Sequence, residues 1–420
     1  MKRLIRTALS FLLSVASGTA QNLLIPMDLA QTDHLKAYGV AYWTLRQGVK
    51  VEWLLNYRGG SFLMPADERV VRQCRIRGVR HETLDGAGTA DLYQTIEQGN
   101  MEAVQLEKAP RIAVYTPPDA RPWDDAVTLA MVYAEIPYET IWDKDMLRLD
   151  LNRFDWIHLH HEDFTGQYGK FYANYHNASW YIEQQKLYEQ EARRLGFSKV
   201  SKLKLAVAKV IRQYVLDGGF LFAMCSATDS YDISLAAENT DICDPVFDGD
   251  PLDPEYQSKL TFAPCFAFEN FELYPSPLIY EYSNIDTTPQ DAVAIQAIQD
   301  DYFTLFEFSA KYDPVPAMLT QNHVSVIHSF MGQTTGFRRT LLKGSVTILA
   351  EKQGTDEVKY IHGNRGAGTF TFLGGHDPED YQHFVGDKPT QLALHKNSPG
   401  YRLILNNILF PAAKKKEQKT

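Results

Sequence analysis

The spacing of apolar residues changes once within residues 201–230, SKLKLAVAKVIRQYVLDGGFLFAMCSATDS. Leu203, Val207, Val210, Ile211 and Tyr214 recur at helical spacing, which predicts an amphipathic helix. Asp217-Gly218-Gly219 closes it, since glycine takes the left-handed cap without steric cost. Phe220 to Met224 is a short continuous apolar run of the kind a buried parallel strand shows. Cys225 falls where that strand stops. Ala223 and Ala227 leave room around it for a tight strand-to-helix turn, the setting of a nucleophile elbow. Ligands gather at the carboxyl ends of strands in open α/β sheets, so Cys225 stands where a site is expected.

Elsewhere the same alternation recurs. Residues 23–26, 49–56 and 62–64 read as strands, residues 79–84 as extended, and residues 33–48, 66–77 and 90–98 as helices, a βαβ-like pattern. Arg58-Gly59-Gly60-Ser61 reads as a turn. Ala109-Pro110 marks a joint, dividing an N-terminal α/β segment (21–109) from a larger domain (110–412). In the latter, residues 111–115, 138–142 and 156–159 read as strands and 123–134 as a helix. Residues 178–195 form a long polar helix, expected as a surface insertion. Further strand-like runs cover 303–308, 324–328, 346–350 and 368–373, before a last helix over 401–409 and a disordered basic tail at 413–420.

Charge and the chain's beginning narrow the function. A net charge of −10 argues against a nucleic-acid partner. Lys2, Arg3 and Arg6 precede an apolar run at 8–16 and then Gly18-Thr19-Ala20, the composition of a signal peptide cut after Ala20. The run is too short to span a bilayer. A periplasmic or secreted protein without membrane insertion is therefore expected. Of four cysteines, Cys243 and Cys265 flank an acidic loop and could pair, whereas Cys74 reads as a buried small hydrophobe. The acidic residues of 228–256 do not match an EF-hand spacing and read as a solvated loop.

Three groups carry candidate chemistry. Cys225 would serve as a nucleophile if the following helix lowered its pKa. Gly374-Gly375-His376-Asp377-Pro378-Glu379 follows a β-rich run and places a histidine beside carboxylates, as a general base and its orienting acid would be. His158-Leu159-His160-His161-Glu162-Asp163 follows the strand at Trp156; continued extension puts His158 and His160 on one face and His161 on the other. Such density of imidazole and carboxylate suits either a substrate-binding loop or a divalent metal at His160 and His161, with no cofactor the favoured expectation.

The segments Asp217-Gly218-Gly219 through Cys225-Ser226-Ala227-Thr228, and Leu373-Gly374-Gly375-His376-Asp377-Pro378-Glu379, resemble the ThuA-like branch of the class I glutamine amidotransferase-like superfamily. The resemblance covers residues 110–411. It implies a flavodoxin-like three-layer α/β/α sandwich, with Cys225 as nucleophile, His376 as base and Glu379 as orienting acid. His160, His161, Glu162, Gly375 and Asp377 would bind substrate. Alanines at 223 and 227 replace the elbow glycines, and the later motif is H-x-x-E rather than H-x-E. The whole chain is also similar, through LLIPMD, LLNYRGGSF and HLHHEDFTGQYGKF, to exported bacterial proteins labelled asparagine synthetase B. With Lys2 after the initiator Met and no S-G-G-x-D-S loop, ATP-dependent asparagine synthesis is not expected. The resulting expectation is an exported hydrolase with a cysteine nucleophile acting on an amide or sugar-derived substrate. The alternatives are a non-catalytic glycan- or small-ligand-binding protein and a metal-dependent sugar-modifying enzyme.

Overall fold

Two sheets of different construction are built from this chain in a computed structural model, which describes residues 21–118, 125–287, 302–313, 324–328, 330, 332–380 and 386–413. The expected leader at 1–20 and basic tail beyond 413 lie outside the described residues.

The first sheet contains β1 (Asn22–Ile25), β2 (Val51–Leu55), β3 (Ser61–Pro65), β4 (Glu82–Leu84) and β5 (Glu102–Leu106), with α1 (His34–Arg46), α2 (Glu68–Arg77) and α3 (Gly86–Gln98) between them. Each of these helices starts at an aspartate, Asp33, Asp67 or Asp85, whose carboxylate accepts a first-turn amide. The strand order is β4-β1-β3-β2-β5, and every neighbouring pair is antiparallel. This corrects the βαβ-like expectation. Between β2 and β3 the chain turns back through Asn56, Arg58, Gly59 and Gly60, all at positive φ. A link this short can join only antiparallel strands.

The second sheet begins with β6 (Ile112–Tyr115), α4 (Ala126–Ala134), β7 (Glu139–Ile141), α5 (Asp143–Arg148) and β8 (Trp156–Leu159). Next come α6 (Tyr172–Tyr175), α7 (Ser179–Arg194), α8 (Val200–Leu216), β9 (Phe220–Met224), α9 (Ala227–Ala236) and α10 (Pro245–Asp248). The remainder is β10 (Tyr302–Leu305), β11 (Val326–His328), β12 (Phe337–Arg338), β13 (Thr347–Glu351), β14 (Glu357–Arg365), β15 (Gly368–Leu373) and α11 (Pro399–Leu409). The order is β11-β10-β13-β14-β15-β9-β8-β6-β7, with β12 on β14. Strands β7, β6, β8, β9 and β15 are parallel. From β15 outward through β14, β13, β10 and β11 the pairing is antiparallel.

The flavodoxin-like three-layer sandwich is thus not what this sequence forms. Half of the large sheet is an antiparallel extension, and a separate antiparallel sheet stands beside it. Tight turns at Gly354 and Gly366, both left-handed, fold β13, β14 and β15 into consecutive hairpins. Strand β14 escapes a reading of the sequence because Lys359, His362 and Asn364 interrupt its apolar residues, although Lys359 and His362 are buried.

Alternate residues of β8 and β9 feed two cores. Trp156, Phe222 and Met224 face a core shared with α1, α4, α11 and the first sheet, while Ile157, Leu221 and Ala223 face α8 and α9. Helix α7, expected as a surface insertion, packs one face inward: Tyr181, Tyr188 and Ala192 are buried in the second core. Among the described residues no helix is long and apolar enough to cross a membrane.

His362 provides a test of the β14–β15 hairpin. Its Nδ1 lies 2.9 Å from Thr371 Oγ1, and burial pushes its pKa down to about 4. Between about 6.5 and 4 the unfolded chain binds a proton at this ring and the folded chain does not. Stability from this group is therefore complete above pH 6.5 and falls as the pH is lowered through that window, by on the order of 3 kcal/mol. Urea unfolding of wild type and His362→Gln across pH 4–7 should show the variant with a shallower decline; parallel curves would contradict the burial argument.

Candidate functional site

Parallel strands bring their carboxyl ends to one edge of the sheet, and three consecutive neighbours, β8, β9 and β15, end in the segments of interest. The β9 end makes the expected elbow. Cys225 sits at φ 53° before α9. Its amide donates to the Gly375 carbonyl at 3.1 Å, and the Ala227 amide donates to the His160 carbonyl at 3.0 Å. The turn after the middle strand thus ties the loops after both of its neighbours. Gly375 is obligatory here: at φ 91° a Cβ would collide with the Phe330 carbonyl oxygen.

These ties bring His160, His161 and His376 together. Ring centroids are 4.1 Å apart for His160–His161, 4.5 Å for His160–His376 and 4.4 Å for His161–His376. One ring nitrogen from each lies within 4.8 Å of the others, so the group can hold a metal ion. His161 was expected to point away from His160. Extended structure ends at Leu159, so the period of two no longer governs the next residues.

Asp125, which sequence reasoning passed over, stands behind this group. It caps α4 by accepting the Val127 and Thr128 amides at Oδ1, at 2.8 and 3.0 Å. Its Oδ1 is also 3.1 Å from His160 Nδ1, and its Oδ2 is 3.3 Å from His158 Nε2. Burial by itself would raise the Asp125 carboxyl, but the two imidazoles outweigh it and hold it well below the usual range. The signal in the sequence was an aspartate directly before the apolar helix AVTLAMVYA.

A cleft of about 280 Å³ opens beside the histidines, lined by Tyr115, Tyr138, Tyr168, Phe171, Tyr188 and Gln184 along with His160, His161, Glu162 and Asp163. The Asp163 carboxylate accepts Thr165 N and Oγ1 at 2.6 Å and Gly169 N at 3.0 Å, and so shapes the loop before Phe171. Glu162 lies 3.7 Å from the fully buried Lys204 ammonium. Burial pushes the Glu162 carboxyl up to about 7; Lys204 opposes this rise and Asp143 adds to it. Lys204 itself donates to Tyr115 Oη at 2.8 Å and Asp143 Oδ1 at 3.1 Å, beneath the Tyr188 ring. Its signal was a lysine within the apolar stripe of α8.

The other expected site residues have different surroundings. Cys225 is 4% exposed and donates its thiol to the Gln333 carbonyl at 3.1 Å. Burial, aided by Asp229 and Asp286, pushes that thiol up to about 12, against the lowered pKa expected of a nucleophile. Glu379, expected to orient His376, pairs with His395 Nδ1 at 2.9 Å. Asp377, expected at the substrate, accepts the Tyr401 hydroxyl at 2.7 Å and the Glu379 amide at 2.8 Å, 1% exposed. Cys243 and Cys265 do not pair: their thiols donate to the carbonyls of Thr165 and Asp232, each at 3.3 Å. Two further groupings lie among the described residues: Asp125, His158 and His160, the contact just given, and Asp241, Cys243 and Asp248, which already surrounds the Lys199 ammonium at 2.7 Å from Asp241 and 3.0 Å from Asp248.

No family model and no curated protein matches the chain. Among solved structures it is similar to cytoplasmic protein STM3548 from Salmonella typhimurium, with 10% identity over 73% of this chain and 100% of that one, at a TM-score of 0.35. It is similar too to cytoplasmic protein STM1381 from Salmonella typhimurium LT2, with 10% identity over 72% and 99% of the two chains, at a TM-score of 0.33. For a beta-galactosidase from Bacillus circulans sp. alkalophilus the identity is 11% over 76% of this chain and 33% of that one, at a TM-score of 0.24.

A buried, carbonyl-bound thiol should be inert. Iodoacetamide at pH 7.5 is expected to leave Cys225 unmodified in the folded protein and to alkylate it after denaturation. Peptide mapping that finds rapid modification in the folded state would restore an activated nucleophile.

Proposed function

We propose that this chain is a metal-dependent enzyme of the hydrolytic class acting on an uncharged, ring-shaped, hydroxylated substrate such as a sugar derivative. The observation that carries the reading is the convergence of three imidazoles, one of them backed at Nδ1 by a carboxylate and two of them, His160 and His161, lining an aromatic cleft. His160, His161 and His376 would hold a divalent ion, whose contribution when bound is Lewis acidity. Glu162 offers a carboxyl within the same cleft for proton transfer. Tyr115, Tyr138, Tyr168, Phe171 and Tyr188 line the cleft with aromatic side chains, which suits an apolar ring face better than bare solvent. Of the carboxylates lining the cleft, Asp125 is compensated by imidazoles and Asp163 by loop donors, while burial pushes Glu162 up to about 7 against the pull of Lys204. An uncharged ligand therefore fits better than an ion. The N-terminal segment favours a periplasmic or secreted setting for this reaction.

The elbow at Cys225 favours a second reading, the cysteine-dependent hydrolase of amides. It requires the thiol to leave the Gln333 carbonyl and ionise.

Metal analysis of protein purified without chelators should find about one divalent ion per chain, the stoichiometry of a single three-histidine centre. His161→Ala and His376→Ala should lose it, and Cys225→Ala should keep both the ion and hydrolysis of neutral glycoside substrates. Wild type that takes up no zinc, cobalt, manganese or nickel would sink the metal reading. Activity lost in Cys225→Ala with metal retained would move the chemistry to the thiol.

A further inference from the structure

His160 can offer a metal ion only one of its two ring nitrogens, and the molecule contains a device that selects which. We infer that Asp125 is the positioning residue that fixes His160 with its proton on Nδ1 and its Nε2 lone pair toward His161 and His376, and that the N-terminus of α4 holds Asp125 in place. The inference rests on the metal-dependent reading of the same cleft.

A carboxylate only accepts hydrogen bonds. A ring nitrogen 3.1 Å from Asp125 Oδ1 is therefore attracted only if it carries the proton. The neutral imidazole has one proton, so Nε2 is then the nitrogen that offers a lone pair. This is the carboxylate–histidine arrangement that steadies a ligating ring and strengthens it as a base.

Asp125 cannot swing away from this duty without breaking other contacts. Its Oδ1 accepts the Val127 and Thr128 amides, so moving it would uncap α4. Its Oδ2 faces His158 Nε2 at 3.3 Å. His158 is itself fixed, because Nδ1 lies 3.1 Å from the Phe222 carbonyl, which can only accept. The His158 ring is also stacked on Trp156 at 5.6 Å and on Phe222 at 5.5 Å. With one proton, placed on Nδ1, His158 turns a lone pair toward Oδ2, so it walls Asp125 in without attracting it, and the amides of α4 are what hold the carboxylate.

A capping role alone would explain Asp125 too, and the substitution Asp125→Asn separates the two. Asparagine caps a helix about as well as aspartate, but it lacks the charge and presents an amide donor on one side. Asp125→Asn should therefore keep the fold and its melting temperature. In ¹⁵N NMR of the metal-free protein, with His160 assigned by its loss in His160→Gln, wild type should show the Nδ1–H tautomer and Asp125→Asn a mixture of tautomers. Zinc or cobalt affinity should weaken roughly 10–100-fold in Asp125→Asn. A wild-type His160 with its proton on Nε2 overturns the inference outright, whether or not any variant folds. Wild-type tautomer and affinity in Asp125→Asn overturn it as well. Absence of metal binding in wild type, with the tautomer as expected, would instead count against the metal reading alone.

Discussion

Two backbone hydrogen bonds govern the site. The amides of Cys225 and Ala227, on either side of the strained turn after β9, hold the carbonyls of Gly375 and His160. Because β9 lies between β8 and β15 in the sheet, this one turn reaches both neighbouring loops and sets the distance between them. His376 and the His160–His161 pair, more than two hundred positions apart in the sequence, meet as a consequence. The elbow thus contributes through its main chain, while its thiol is turned inward to the Gln333 carbonyl. A left-handed Cys225 costs backbone energy that only a surrounding network can sustain, and these two bonds are part of that network.

Electrostatics explains how so many acids coexist around one small cleft. Burying a carboxylate without compensation is costly enough that the group would take up a proton instead. Each acid has its own remedy. Asp125 faces two imidazoles, Asp163 receives three donors from its own loop, and Glu162 and Asp143 share Lys204. Glu162 is the least compensated: its contact with Lys204 is long, and the ammonium is closer to Asp143. That asymmetry, with burial, is why its carboxyl is driven upward while Asp125 is driven down.

Local periodicity made the elements around β8 and β9 legible, because each is buried on both faces and reads as a continuous apolar run. Cys225, the Gly374-Gly375 pair and the histidine-rich segment were all visible as unusual residues at strand ends. What the sequence could not convey was partnership. Glu379 looks like a catalytic acid and Asp377 like a substrate contact when read beside His376, yet His395 and Tyr401, brought in by the segment leading into α11 and by α11 itself, claim them. Asp125 looks like a helix cap, which it is, and only the fold shows that the cap borders β8. Strand pairing was equally hidden. An apolar run of four or five residues pairs in either direction, and the direction is set by the length of the connection that follows.

The antiparallel half of the large sheet, which departs from a flavodoxin-like sandwich, is also what completes the histidine group. Strand β14 pairs with β15 along its length. Where β15 ends, the Gly374 amide donates to the Lys359 carbonyl of β14 at 2.8 Å and the Gly375 amide to the Thr334 carbonyl at 2.9 Å. The Lys359 ammonium then binds the carbonyls of Phe330 and Thr335, fixing that loop from below. His376 is therefore held from two sides, by the parallel strand β9 through Cys225 and by the antiparallel strand β14 through Gly374. An edge strand at β15 would have left the second side to solvent, and with it the position of one imidazole in three. The added hairpins thus belong to the site as much as the parallel strands do.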